Sequence, residues 1–474
     1  MFRTFTQNQF NLIWYVVPNL VLRGSTVLLL PVYSRLLAPE EYGLVGVALV
    51  VSGLLRLGIL LNLENLYFRF VFGKFLKEDS VEQVSLGVMV RFHLMILFLL
   101  LPVLCIPGYF LVTRFASNVP FLFLLLALSS LFLGSLQTPM HAWLRANKKI
   151  KSLARLLILG FVAESLLILL GLIHFHWGAV SLLAGQVFGG LVLSPFFLPH
   201  FVHGMREKIC WRGALLFYRK SLAFGPSTLA ICGFTIADRF LLNYFRGPRD
   251  TGIYIAAYQL VSIVVAAIFL FNQQWQDLTF QSRKQESINL SKIFLGSIDL
   301  FLCAAALLAV LAEPISNYYF GEKFREAGKL LPLLAIIGFL RVPQCFFENI
   351  GLADLRRALL VKTNIFSLGL FLLLCFTLIP EWGSRGAIWA GIISLITYPA
   401  TMYWNQLVTL DGGLKEWFLT NWLPLGIWGW TLLGPPTSEV ALVLSLLLVA
   451  CLIKRFMRYF SFLKFYSGEV AYSV

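Results

Sequence analysis

The feature that most constrains this chain is a succession of apolar runs, each near 20 residues, separated by short polar turns. They fall at roughly 12–36, 41–62, 86–112, 119–139, 153–173, 177–199, 221–243, 252–273, 293–313, 329–350, 358–379, 385–408, 417–434 and 437–454. A helix of about 20 apolar residues crosses the hydrocarbon core of a bilayer. Inside that core no water is present to pair with backbone groups, so a spanning segment must satisfy them internally. Continuous apolar runs of this length select helices over alternating strands. The expected fold is therefore an all-α polytopic membrane protein with about 14 transmembrane helices. Of the 474 residues, 59% are hydrophobic and 13% charged, where a soluble protein carries about a quarter charged. No loop exceeds roughly 25 residues, too short for a separate folded domain.

The formal charge of +15 would suggest nucleic acid as the partner of a soluble protein. Here the basic residues lie in the short loops, and membrane lipid rather than nucleic acid is the expected surrounding. Under the segment limits above, about 25 Lys and Arg fall on the side of the termini, about 7 on the other and about 6 inside spans. The clusters Arg145/Lys148/Lys149/Lys151/Arg155, Arg206/Lys208/Arg212/Arg219/Lys220 and Lys454/Arg455/Arg458 all share the terminal side. The positive-inside rule then puts both termini in the cytoplasm. The first run follows a short tail with one basic residue, Arg3, and reads as a retained span.

Enzymatic readings lack their parts. The seven cysteines form no Cys-x-x-Cys, so neither a zinc site nor a redox pair is indicated. There is no Walker sequence. His174 and His176 stand two apart in a turn without a companion carboxylate, the pattern of solvated histidines. No catalytic residue, metal site or cofactor is expected. A Gly185-x-x-x-Gly189 motif predicts close helix packing.

Two stretches resemble one another at an offset of about 209 residues: Pro39-Glu40-Glu41-Tyr42-Gly43-Leu44 and Pro248-Arg249-Asp250-Thr251-Gly252-Ile253. Each closes one span and opens the next. Proline stops the incoming helix, and glycine is expected to permit the reversal, a use that many helical hairpins share. Matched positions at the first span of each six-span block suggest an internal repeat, hence two bundles with a cavity between them.

Charges at bilayer depth are costly unless they face protein or water. Arg23 lies near the middle of the first run, and Asn19, Arg23 and Thr26 share one helix face. The offset maps that stripe, with Leu30, onto Thr228, Cys232, Thr235 and Arg239. Two related polar faces suit a shared aqueous cavity; the alternative is polar contact that only joins helices. Arg56 and Arg341 are further cavity candidates. Glu164, Asp238 and Asp299 are candidates for ion coupling, or else partners of neighbouring arginines. Glu348 and Glu64, nearer the cytoplasmic boundary, rank below them. Arginine forks onto phosphate oxygens and stays charged, so an arginine-rich cavity suits an anionic substrate such as a pyrophosphate.

Three motifs carry a family resemblance: Leu30-Pro31-Val32-Tyr33-Ser34-Arg35-Leu36-Leu37-Ala38-Pro39-Glu40-Glu41-Tyr42-Gly43, Ala237-Asp238-Arg239-Phe240, and Thr251-Gly252-Ile253-Tyr254-Ile255-Ala256-Ala257-Tyr258. In order and spacing the chain resembles the polysaccharide transporter or O-antigen flippase family (Wzx-like) of the MOP flippase superfamily, over roughly residues 10–410. The resemblance implies two six-helix lobes around a central cavity, at residues 1–200 and 213–408, with a C-terminal helix pair and tail at 415–474. It implies export of undecaprenyl-pyrophosphate-linked oligosaccharide across the bacterial inner membrane by alternating access, beside a polysaccharide polymerase and other glycan-assembly proteins. Cationic cavity residues are part of that family pattern; Arg23 carries over first, then Arg56, Arg239 and Arg341. The extra helix pair resembles the lipid II flippase branch, so peptidoglycan-precursor transport stays open. A cation-coupled multidrug exporter of the same superfamily would call for an acid-rich cavity. A membrane O-antigen polymerase or ligase would call for a larger external loop than the longest one here, about 314–328.

Overall fold

The computed structural model describes residues 27–60, 95, 121–146, 149–206, 225–282, 290–353, 357–405, 413–433 and 438–470. These residues form helices α1 (Val27–Leu36), α2 (Pro39–Leu60), α3 (Phe121–Ala146), α4 (Ile150–Ile173), α5 (Val180–Arg206), α6 (Gly225–Arg246) and α7 (Pro248–Ser282). They continue with α8 (Leu290–Val310), α9 (Leu331–Ala353), α10 (Arg357–Trp382), α11 (Ser384–Leu395), α12 (Thr397–Trp404), α13 (Gly413–Leu433) and α14 (Ser438–Val470). No strand occurs among the described residues. The chain is all-α, as the apolar runs require. Eight of the helices are long and apolar enough to cross a membrane. Their outward faces are apolar: Leu442, Leu446, Val449, Ile453 and Phe456 make an exposed stripe along α14 at helical spacing, the surface of a protein solvated by lipid. The expected run at 86–112 lies almost wholly outside the described residues.

The run expected at 385–408 is broken at Ile396 into α11 and α12. Pro399 has no N–H to give the carbonyl of Leu395. The neighbouring carbonyl of Ser394 accepts from two hydroxyls, Thr397 Oγ1 at 2.7 Å and Ser367 Oγ at 2.9 Å.

Backbone contacts gather the chain into two units, one holding Leu36–Gly252, the other Thr26–Arg35 and Ile253–Val474. These limits differ from the sequence-order blocks 1–200, 213–408 and 415–474. α1 groups with the later helices, α6 with the earlier ones, and α13 and α14 belong to the second unit.

In the first unit, α5 packs between α3 and α4, and α2 packs on α3 and α6. The α4–α5 seam runs over glycines, as the Gly185-x-x-x-Gly189 spacing predicts. A Cβ at Gly185 would lie 2.9 Å from the Glu164 carbonyl, and one at Gly189 2.9 Å from that of Gly160. The repeat motifs meet here too. Pro39 and Pro248 each occupy the first position of a helix, where the missing N–H costs nothing. Ala38 N–H donates to Glu41 Oε2 at 3.0 Å, half of a capping box.

Gly43 and Gly252 do not make the reversals. Both lie inside helices, and the α6–α7 turn is made by Gly247 at φ +87. Their purpose is mutual approach. A Cβ on Gly43 would lie 1.9 Å from the Pro248 carbonyl oxygen, and one on Gly252 1.9 Å from that of Pro39. Equivalent residues of the two repeats thus cross reciprocally. Glu40 and Arg249, also equivalent, pair across the same crossing at 3.9 Å, an exposed contact of little energetic weight.

In the second unit, Pro31 leaves the Val27 carbonyl without the usual helical N–H. The Tyr319 hydroxyl donates to that carbonyl. Gly321 N–H donates to Ser34 Oγ at 2.9 Å, and Arg35 donates to the carbonyls of Pro31 (3.0 Å) and Tyr318 (3.2 Å). Residues 315–321 thereby staple α1, which explains why α1 groups with the later helices. α8 packs on α9, α13 and α14, and α10 on α11.

The reciprocal crossing makes a direct prediction. Gly43→Ala and Gly252→Ala should each lower the melting temperature in detergent, by about 1–3 kcal/mol of overpacking. Gly369→Ala, at a helical glycine with nothing within 4 Å of the added Cβ, should be neutral or stabilising by up to about 1 kcal/mol. Equal melting temperatures for all three would contradict the crossing.

Candidate functional site

α9 carries a polar stripe on an otherwise apolar helix. Arg341, Gln344 and Glu348 are three and then four residues apart, so they share one face. Arg341 is 8% exposed and donates to Gln344 Oε1 at 2.7 Å; Gln344 Nε2 donates to Glu348 Oε1 at 3.1 Å. Tyr258 of α7 and Tyr398 of α12 lie within electrostatic reach of Arg341. Next to this stripe, Asn349 donates to Asn272 Oδ1 of α7 at 2.8 Å, and the Tyr398 hydroxyl to Asn364 Oδ1 of α10 at 2.9 Å. The cluster holds one buried guanidinium and one carboxylate linked by an amide, and the guanidinium is the group whose chemistry suits an anionic oxygen.

A second, partly buried cluster ties the C-terminal helices to α8. Asn421 Nδ2 of α13 donates to Asp299 Oδ1 at 2.8 Å. Arg455 of α14 donates to Asn421 Oδ1 at 2.6 Å and to the Asp299 carbonyl at 2.9 Å. Trp428 Nε1–H adds a bond to the Pro332 carbonyl at 3.1 Å. Asp299 therefore has a partner on each of two further helices.

The other candidate residues are placed as follows. Arg23, Asn19 and Thr26 lie outside the described residues. Arg56 sits on α2, but its side chain is outside the description, as are those of Thr228, Cys232 and Thr235 on α6. Arg239 of α6 is half-buried; Asp238 beside it is 5% exposed and accepts the Arg239 backbone N–H at 2.8 Å. Glu164 of α4 is half-buried, its Cβ against Gly189 of α5. Glu348, ranked low on sequence, is the carboxylate that meets Arg341. Their seven-residue separation on one helix was the available signal.

The family described as "Polysaccharide biosynthesis protein" matches residues 10–275, more than half of the chain. The chain belongs to that family. Teichuronic acid biosynthesis protein TuaB of Bacillus subtilis (strain 168) is 31% identical over 109 residues, 22% of this chain and 23% of that protein. The match thus spans about a quarter of the length of that relative. Among solved structures, a multidrug resistance MATE family transporter of the MOP superfamily, inward-facing, matches with a TM-score of 0.62 at 14% identity, over 84% of this chain and 97% of that one. The lipid II flippase MurJ, inward closed, matches at 0.60 and 12% identity, over 99% and 100%. A MOP superfamily transporter from Pyrococcus furiosus matches at 0.57 and 15% identity, over 84% and 95%. At these identities the likeness establishes the fold.

This member of the polysaccharide biosynthesis family thus has the fold of MOP-superfamily transporters and flippases rather than that of an enzyme, in a multi-pass membrane chain. Within that fold the Asp299–Asn421–Arg455 cluster joins three helices. Asn421→Ala should lower stability in detergent by about 1–3 kcal/mol, because it strips a hydrogen bond from a half-buried carboxylate and one from a half-buried guanidinium. An unchanged melting temperature would remove that role.

Proposed function

We propose that the protein exports a lipid-linked, undecaprenyl-pyrophosphate oligosaccharide from the cytoplasmic to the outer leaflet of a bacterial inner membrane. The reading includes alternating access, coupling to an ion gradient and cytoplasmic termini, with a polymerase and other glycan-assembly proteins as partners. Family membership and the MOP fold support a transporter of glycan intermediates. The sign of the buried charge carries the substrate class. Arg341 is buried and bonded to Gln344, and a guanidinium is the side chain that forks onto phosphate.

In this reading Arg341, with Arg23, Arg56 and Arg239, binds the pyrophosphate, and Asn19 and Thr26 line the path. Glu164 and Asp238 are the ion-coupling candidates; the two helical partners of Asp299 favour a joining role for it. A multidrug exporter of cations has no use for a buried guanidinium at its site. Lipid II is the second reading. The likeness to MurJ covers 99% of the chain, α13 and α14 included, and lipid II too is a polyprenyl pyrophosphate.

Purified protein in liposomes tests this. Wild type should move undecaprenyl pyrophosphate bearing a labelled sugar across the bilayer. Arg23→Ala and Arg341→Ala should each slow it on the order of tenfold or more, and the Lys variants should keep part of the rate, since charge survives without the fork. Transport of lipid II alone would replace the first reading with the second. Wild-type rates in both Ala variants would remove the arginines from the site.

A further inference from the structure

The start of α4 gathers positive charge that no carboxylate of α3, α4 or α5 answers. Lys149, Lys151 and Arg155 are all exposed. The Lys149 ammonium stands over the Trp143 ring of α3, 4.9 Å from its centre, a contact that holds the cation at the helix end. α4 opens without a side-chain cap on Lys149, so the positive end of the helix adds to the same field. α3 and α5, which pack against α4, contain no Asp or Glu, and the sole acid of α4 is Glu164. It lies about 14 Å further along the axis than Arg155.

Beyond the charges the same face turns apolar and stays exposed. Lys151, Arg155, Leu159, Val162, Leu166 and Leu170 follow one another at three or four residues, so they form one outward stripe. From Arg155 to Leu166 the stripe descends about 16 Å, the depth of one leaflet in a hydrocarbon core of about 30 Å. A cationic head on an apolar stem of that depth complements a lipid with an anionic headgroup. We propose that this face of α4 binds an acidic phospholipid of the surrounding bilayer. The phosphate lies among Lys149, Lys151 and Arg155, and an acyl chain lies along Leu159, Val162 and Leu166. The weakness of the attraction selects the occupant. A basic residue at a membrane surface gains about fivefold in affinity for acidic lipid, so an exposed trio is filled only by a lipid that forms a large share of the bilayer. Phospholipid meets that condition, and a scarce polyprenyl carrier does not. A zwitterionic headgroup brings its own ammonium and gains less.

Photoaffinity labelling of the full-length protein in phosphatidylcholine liposomes tests this. The probe is phosphatidylglycerol with a diazirine in one acyl chain, and adducts are located by proteolysis and mass spectrometry. Wild type should be labelled between Leu159 and Leu166. Replacing part of the phosphatidylcholine by unlabelled phosphatidylglycerol should remove most of that label. Lys151→Gln combined with Arg155→Gln should lose it on the order of tenfold, whereas Lys151→Arg combined with Arg155→Lys should keep it within about twofold, because charge survives. A phosphatidylcholine probe with the same diazirine should label wild type on the order of tenfold less, and the Gln variant no less than wild type. Equal labelling of wild type by the two probes overturns the proposal, as does full phosphatidylglycerol labelling of the Gln variant. So does a charge-keeping variant that loses label as the Gln variant does. Displacement by undecaprenyl pyrophosphate, at a level where the same amount of phosphatidylglycerol displaces nothing, would give the face to the carrier lipid instead.

Discussion

Hydrocarbon offers no hydrogen bonds, and the rest of this structure follows from that. Each apolar run must close its backbone bonds within itself, so it becomes a helix. Where Pro31 removes an N–H, a side chain repairs the loss. Tyr319 donates to the Val27 carbonyl that Pro31 cannot serve. At the α11–α12 break before Pro399, Thr397 and Ser367 bond the Ser394 carbonyl. These repairs also shape the fold, because the staple on Val27 and Ser34 holds α1 against residues 315–321.

Charges obey the same rule. A buried ion without compensation is costly in a low dielectric, and two pairs of charges in the second unit are each linked by a side-chain amide. Gln344 bridges Arg341 and Glu348; Asn421 bridges Asp299 and Arg455. The two bridges differ in reach. The first lies along a single helix. The second joins α8, α13 and α14 and reads as a fastening for the C-terminal helices. The same kind of link thus serves a candidate binding group in one place and assembly in the other.

Much of this was legible in the sequence. The apolar runs within the described residues are covered by helices, and the Gly185-x-x-x-Gly189 spacing marked a close seam. The 209-residue offset marked a true structural correspondence. The purpose of Gly43 and Gly252 was not legible. A glycine beside a proline at a helical hairpin reads as a turn residue, and only the crossing of α2 and α7 shows that each glycine makes room for the other's proline carbonyl. Glu348 was undervalued for a related reason. Its place near the end of an apolar run suggested an interface, whereas in the fold Gln344 links it to Arg341.

Helix formation, membrane residence and family membership were set by the sequence alone, because each depends on local properties: the length of an apolar run, the residues flanking a turn, the order of short motifs. Which charges meet was decided by the tertiary structure. Asp299 and Asn421 are 122 residues apart in the chain, and no periodicity or composition ties them together. The hydrophobic term that selects the helices is non-directional and permits many pairings between them. Hydrogen bonds at fixed distances and angles, available only once the helices are packed, choose among those pairings.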